Sequence, residues 1–250
     1  LEIDLPEAAT EALTAGGTTV PGAYEFYLQG RGYLQRYDRL ENVENAMGLF
    51  RRALEQDPNY ASSHAGLGEA YWRKFELTKD SRWLEPARES STTALGLNGA
   101  MAPVYVTLGM IDTRTGRYEE AIGRFERALH LDRVNADAYR GLANVYERQG
   151  KHAEAEATYQ RSIEMRPSYW ASYNNLGAFY YRVARYAEAA TQFRRVTDLT
   201  PDNTRPYANL GAALQSMDRF EEAGNHFREA LRIRPDYINA RYNLGTLLLS

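Results

Sequence analysis

Residues 136–169 read ADAYRGLANVYERQGKHAEAEATYQRSIEMRPSY, and residues 170–203 repeat the same pattern one cycle later. In the first stretch Tyr139, Leu142, Ala143 and Tyr146 fall at i, i+3, i+4 and i+7, the stripe of an amphipathic helix. Gly150 follows, suited to the left-handed turn that ends a helix. Ala155, Tyr159, Ser162 and Ile163 form a second stripe, and Pro167 stops it, because proline donates no backbone N–H and disfavours helical geometry in the residue before it. The unit is therefore two helices joined by a tight turn.

That unit recurs. Leu108, Leu142, Leu176, Leu210 and Leu244 are each 34 residues apart, and so are Tyr105, Tyr139, Tyr173 and Tyr207. Ala121, Ala155, Ala189 and Ala223 keep the same spacing, as do Phe125, Tyr159, Phe193 and Phe227. A helix pair this short cannot bury its own apolar face, so neighbouring pairs must stack. Small residues at Gly177, Gly211, Gly245, Ala189 and Ala223 are expected where helices approach closely. The motif Tyr173-x2-Leu176-Gly177-x2-Tyr180, then Ala189, Phe193 and Pro201, resembles the tetratricopeptide repeat. The resemblance implies an all-α fold, a right-handed α-solenoid of stacked antiparallel helix pairs.

Full repeats are predicted at 102–135, 136–169, 170–203 and 204–237, with a truncated first helix at 238–250. Ala184 and Asp218 replace the turn glycine, so those turns should be less relaxed. Two irregular repeats come earlier. One covers 60–101, with an insertion expected between its helices near 74–83; the other covers 22–59, with an extended turn. Their segments AYEFYLQGRGYL (23–34) and RRALEQDPNYASSHAGLGEAYW (51–72) look like the repeats beside bacterial serine/threonine kinases and related multidomain regulators. That likeness implies a sensor or docking module, although the residues present contain no HRD, no DFG and no glycine-rich phosphate loop. Residues 1–21 read as a short helix and linker from a preceding domain, so the chain is expected to be a piece of a longer protein.

Composition narrows the function. With 44% hydrophobic and 25% charged residues among 250, the chain reads as folded and soluble, a cytoplasmic location being favoured over a periplasmic one. A net charge of −3 without a basic block argues against nucleic-acid binding, and no apolar run approaches the length of a membrane helix. There is no cysteine, and His64, His130, His152 and His226 are scattered without ligand spacing. No metal, cofactor or catalytic pattern emerges, so the expectation is a non-enzymatic protein-binding scaffold.

The candidate site is the concave surface lined by the first helix of each pair. Asn175, Asn209 and Asn243 recur every 34 residues, and Asn174 sits beside the first of them. A carboxamide both donates and accepts, so such a ladder can pair with the backbone of an extended peptide. Some members of the family hold a partner's C-terminal carboxylates in a clamp, and its spacing is matched here by Arg140, Asn144, Asn175, Arg205 and Asn209, with offsets +4, +31, +30 and +4. Arg140 and Arg205 stand where the clamp has Lys, and Asn209 replaces its final Arg, changes that are not neutral. The likeness implies an acidic or C-terminal carboxylate partner. Trp72 and Tyr181 fall at groove-facing positions and are candidate aromatic anchors. Finally, Tyr242, Leu244, Leu247 and Leu248 form a stripe with no covering helix, which suggests self-association through that edge.

Overall fold

The computed structural model describes residues 17–247, and among these every regular element is helical. Each pair of helices is antiparallel and joined by a short turn. The first six α-helices are α1 (Pro21–Leu34), α2 (Leu40–Gln56), α3 (Ala61–Thr78), α4 (Leu84–Leu97), α5 (Ala102–Arg114) and α6 (Tyr118–Leu131). The remaining ones are α7 (Ala136–Arg148), α8 (His152–Met165), α9 (Trp170–Arg182), α10 (Tyr186–Leu199), α11 (Thr204–Gln215), α12 (Phe220–Ile233) and α13 (Ile238–Leu247). The chain divides between Arg133 and Val134 into two compact units, each with its own core.

Local chemistry sets the helix ends. Asn135 caps α7 by accepting the Ala138 N–H at 2.9 Å, and Asn203 caps α11 by accepting the Arg205 N–H at 3.1 Å. From α5 onward the turns within pairs close on a residue in left-handed geometry: Gly116 and Gly150 with φ of 78° and 75°, but also Ala184 and Asp218 with φ of 60° and 58°. Holding a residue with a Cβ there costs about 1–2 kcal/mol. The same turn survives because its hydrogen bonds do: Lys151 N–H reaches Tyr146 O at 2.9 Å, and Arg185 N–H reaches Tyr180 O at 2.9 Å.

An aromatic ring from the second helix of a pair seats against a glycine of the first. A Cβ added to Gly109, Gly177 or Gly211 would stand 2.8, 2.9 or 2.6 Å from the rings of Phe125, Phe193 or Phe227. Those three rings are essentially buried. Gly245, expected to serve the same purpose, has nothing within 4 Å, so no close approach depends on it among the described residues.

Two details differ from expectation. The first half of the stretch at 74–83 lengthens α3 to Thr78 rather than leaving the helix, and Lys79 to Trp83 form the connection, with a 3-10 turn at Ser81–Trp83. The Asp80 carboxylate accepts from Arg82 N–H and fixes that turn. Leu244 and Leu247 are not an uncovered stripe either, because both pack on the core of the second unit; Tyr242 is the residue left open, 70% exposed. Leu248 and the short helix read at 1–15 lie outside the described residues.

Candidate functional site: an uncharged cleft on the first helices of the second unit

In the second unit, α9, α11 and α13 are the first helices of successive pairs and place their side chains along one surface. A cleft of about 320 Å³ lies there. Its floor is Ala208 and Ala212, whose small side chains leave room, and its walls are Tyr181 on one side and Ile238 and Tyr242 on the other. Asn209, Asn239 and Asn243 add carboxamides to the lining. A smaller recess of about 130 Å³, shared at Tyr181, Asn209 and Ala212, continues toward Ala178, Arg182 and Phe193. No residue lining the larger cleft carries a charge at neutral pH, so it suits an apolar side chain flanked by peptide amides.

Tyr181 is 37% exposed, with its ring edge-on to Tyr186 at 5.3 Å and its hydroxyl 3.4 Å from Ser216 Oγ. Asn209 donates to Asn174 Oδ1 at 3.4 Å, so the rung of the amide ladder runs from Asn209 to Asn174 and not to Asn175. The pair is offset by 35 residues and not 34, as are Tyr181 with Ser216 and Arg182 with Glu147. Asn175 is half-buried and does not line the cleft.

The clamp residues differ in how they are engaged. Arg140 is buried, 7% exposed, and its guanidinium donates twice to Asp137 Oδ1, at 3.1 and 2.8 Å. Tyr169 donates to the same oxygen at 3.0 Å. A cation committed to its own helix in this way is not poised for a ligand carboxylate. Asn144 accepts from Arg148 Nε at 3.1 Å. Arg205 is exposed, and no hydrogen bond or ion pair of its guanidinium occurs among the described residues. Trp72 is a correction as well: it belongs to the first unit, is only 6% exposed, and its ring lies 5.3 Å from Phe75. It is a packing residue there, while its repeat equivalent Tyr181 stays open.

The sequence pattern gave no notice of the charged rim. Arg182 donates to both oxygens of Glu147, and Tyr159 O–H donates to Glu147 Oε2 at 3.0 Å. Beside it, Glu156 accepts from Tyr180 O–H at 2.8 Å and from Arg185 at 2.6 Å. The Arg185 hydrogen bond holds the Glu156 carboxyl below its ordinary value of 4.5, against the opposing effect of burial. Because the folded-state value is depressed, this contribution to stability is complete above about pH 4.5 and is lost as pH falls through the folded value. Urea unfolding should therefore weaken on acidification below that point. Glu156→Gln should make the loss shallower, and an unchanged pH profile would refute the assignment.

No group of side chains able to hold a metal ion occurs among the described residues, and no helix there is long and apolar enough to cross a membrane.

Stacked antiparallel helix pairs with a ring seated on a glycine define a class, the α-helical repeat proteins. The family model of the tetratricopeptide repeat matches residues 100–168, 136–202 and 168–236, together more than half of the chain, and the chain belongs to that family. Among solved structures, pilF of Pseudomonas aeruginosa is similar, with a TM-score of 0.58 and 22% identity over 90% of this chain and 97% of that one. A chain of the APC/C hetero-tetramer Cut9-Hcn1 aligns with a TM-score of 0.67 and 18% identity, over 90% of this chain and 46% of its own. Both likenesses concern the fold. In sequence, 84 residues are 33% identical to bacteriophage adsorption protein A of Escherichia coli (strain K12), a match spanning 34% of this chain and 8% of that protein.

Proposed function

We propose that the cleft across α9, α11 and α13 holds an extended segment of a partner protein. An apolar side chain of that segment enters between Tyr181 and Tyr242, and its backbone pairs with Asn209 and Asn243. The observation that supports this reading is the uncharged lining of a cleft large enough for a side chain and bordered by carboxamides on neighbouring helices. The work is binding, without catalysis. An acidic or C-terminal carboxylate end of the partner would meet exposed Arg205, since Arg140 is engaged by Asp137.

A library of twelve-residue peptides panned against the chain tests this directly. Peptides selected by the cleft should share an aromatic or aliphatic residue and bind equally in low and high salt, since no ion pair is screened. Tyr181→Ala and Asn209→Ala should each weaken them by about tenfold or more. Selected peptides that bind both variants as well as the parent would rule the cleft out.

A second reading is docking on another domain of the same chain, proposed from the sequence of the irregular repeats at 23–34 and 51–72 alone. Self-association is the third, resting on exposed Ile238 and Tyr242. It predicts a concentration-dependent mass that Tyr242→Ser abolishes.

A further inference from the structure

The first unit carries a cluster of charges that a packed repeat does not require. Asp112 in α5 is 2% exposed, at the position where the following repeats have Tyr146, Tyr180 and Leu214. Three guanidiniums approach it: Arg88 of α4 at 3.0 Å and Arg117 at 2.6 Å on one oxygen, and Arg124 of α6 at 3.8 Å on the other. The equivalent positions two repeats later are Glu156, Tyr180 and Arg185, one cation for one carboxylate.

One carboxylate has two oxygens, while each guanidinium has five N–H donors, so most donors of the three arginines are left over. Arg117 and Arg124 have side chains 44% and 40% exposed, so both are within reach of solvent. Elsewhere the residue in the place of Arg117 pairs with a glutamate three positions on, as in Arg185–Glu188 and Arg219–Glu222. Here Arg117 turns inward to Asp112. Three guanidiniums thus lie within 4 Å of a single carboxylate. A buried carboxylate with its cations is commonly no more stabilising than the apolar residues it replaces, so packing alone does not account for Asp112. What it does provide is orientation, by pulling three forked donors toward one point.

We propose that Arg88, Arg117 and Arg124, oriented by Asp112, form a receptor for an oxyanion carried on a protein segment, either a carboxylate or a phosphate. Arg117 and Arg124 contribute the outward donors, which match such groups in paired, charge-assisted hydrogen bonds. This site lies in the first unit and does not depend on the cleft of the second.

Fluorescence anisotropy with three labelled peptides of equal length tests it. One carries a run of glutamates, one a single phosphoserine among uncharged residues, and one only uncharged residues. The chain should bind at least one of the anionic peptides and not the neutral one, and whichever binds identifies the source of the oxyanion. Arg117→Glu with Arg124→Glu should weaken that binding by about tenfold or more. Arg161→Glu with Arg232→Glu, exposed arginines at other places, should change it less than about twofold. Should the first pair fail to fold by circular dichroism, Arg124→Gln alone, which leaves Arg88 and Arg117 on Asp112, decides by a measurable loss. Absence of binding to both anionic peptides, or an equal loss in the control pair, overturns the proposal.

Discussion

Phe227→Ala is expected to lower the unfolding free energy of the second unit by about 3–5 kcal/mol. The ring is fully buried in a core that also contains Leu210, Ala213, Ala223 and Ala230. Its edge rests on Gly211, where even a methyl group would stand 2.6 Å away. Removing the ring opens a cavity beside a residue that has no side chain with which to fill it, and neighbouring alanines are too short to collapse inward. The cost therefore belongs toward the upper end of what such truncations produce. Phe220, at the start of the same helix and 48% exposed, is the control: its replacement by alanine should cost about 1 kcal/mol or less. Urea unfolding followed by circular dichroism measures both. Equal losses for the two variants would mean that the ring on the glycine does not organise the repeat.

Asp112→Ala should carry the second large penalty, about 1–3 kcal/mol. Removing the carboxylate leaves three guanidiniums facing one another around a buried space. Breaking a fully buried pair from one side typically costs about 3–5 kcal/mol. The arginines here have side chains 24–44% exposed, so water screens part of their repulsion and the smaller figure applies. Combining Asp112→Ala with Arg88→Ala should recover part of the loss, because Arg88 is the least exposed of the three. That recovery, read as the coupling in a double-mutant cycle, separates a charge effect from a simple cavity. A single variant as stable as the parent would refute the electrostatic account of the cluster.

The sequence reveals the helix pairs because burial writes a period into it. Positions such as Leu176, Ala189 and Phe193 must be apolar or small in every repeat, and 34-residue registers follow. The rings on Gly109, Gly177 and Gly211 are legible for the same reason. Side-chain direction is not written that way. Arg140 has the spacing of a ligand-binding cation, yet Asp137, three residues before it on the same helix, captures it. Trp72 and Tyr181 occupy equivalent positions, and only their surroundings make one buried and the other open. The amide rung joins Asn209 to Asn174, one residue off the 34-residue register that burial imposes. Asp112 could have been noticed, since a carboxylate in a column of Tyr146, Tyr180 and Leu214 is an exception to the register that carries the fold.

One wall of the cleft has a different standing from the others. Ile238, Asn239, Tyr242 and Asn243 all belong to α13, which packs on α11 and α12 with a single residue, Ala240, fully buried. The other wall and the floor are anchored in complete helix pairs. Among the described residues this wall rests on Ala240 together with the partly buried Leu244 and Leu247. Amide hydrogen exchange in α13 should be the fastest of the helices that border the cleft, and a bound segment should slow it most there. Were exchange fastest there, affinity measured at equilibrium would contain the cost of docking α13, and a change that fixes this helix would strengthen binding without touching the ligand.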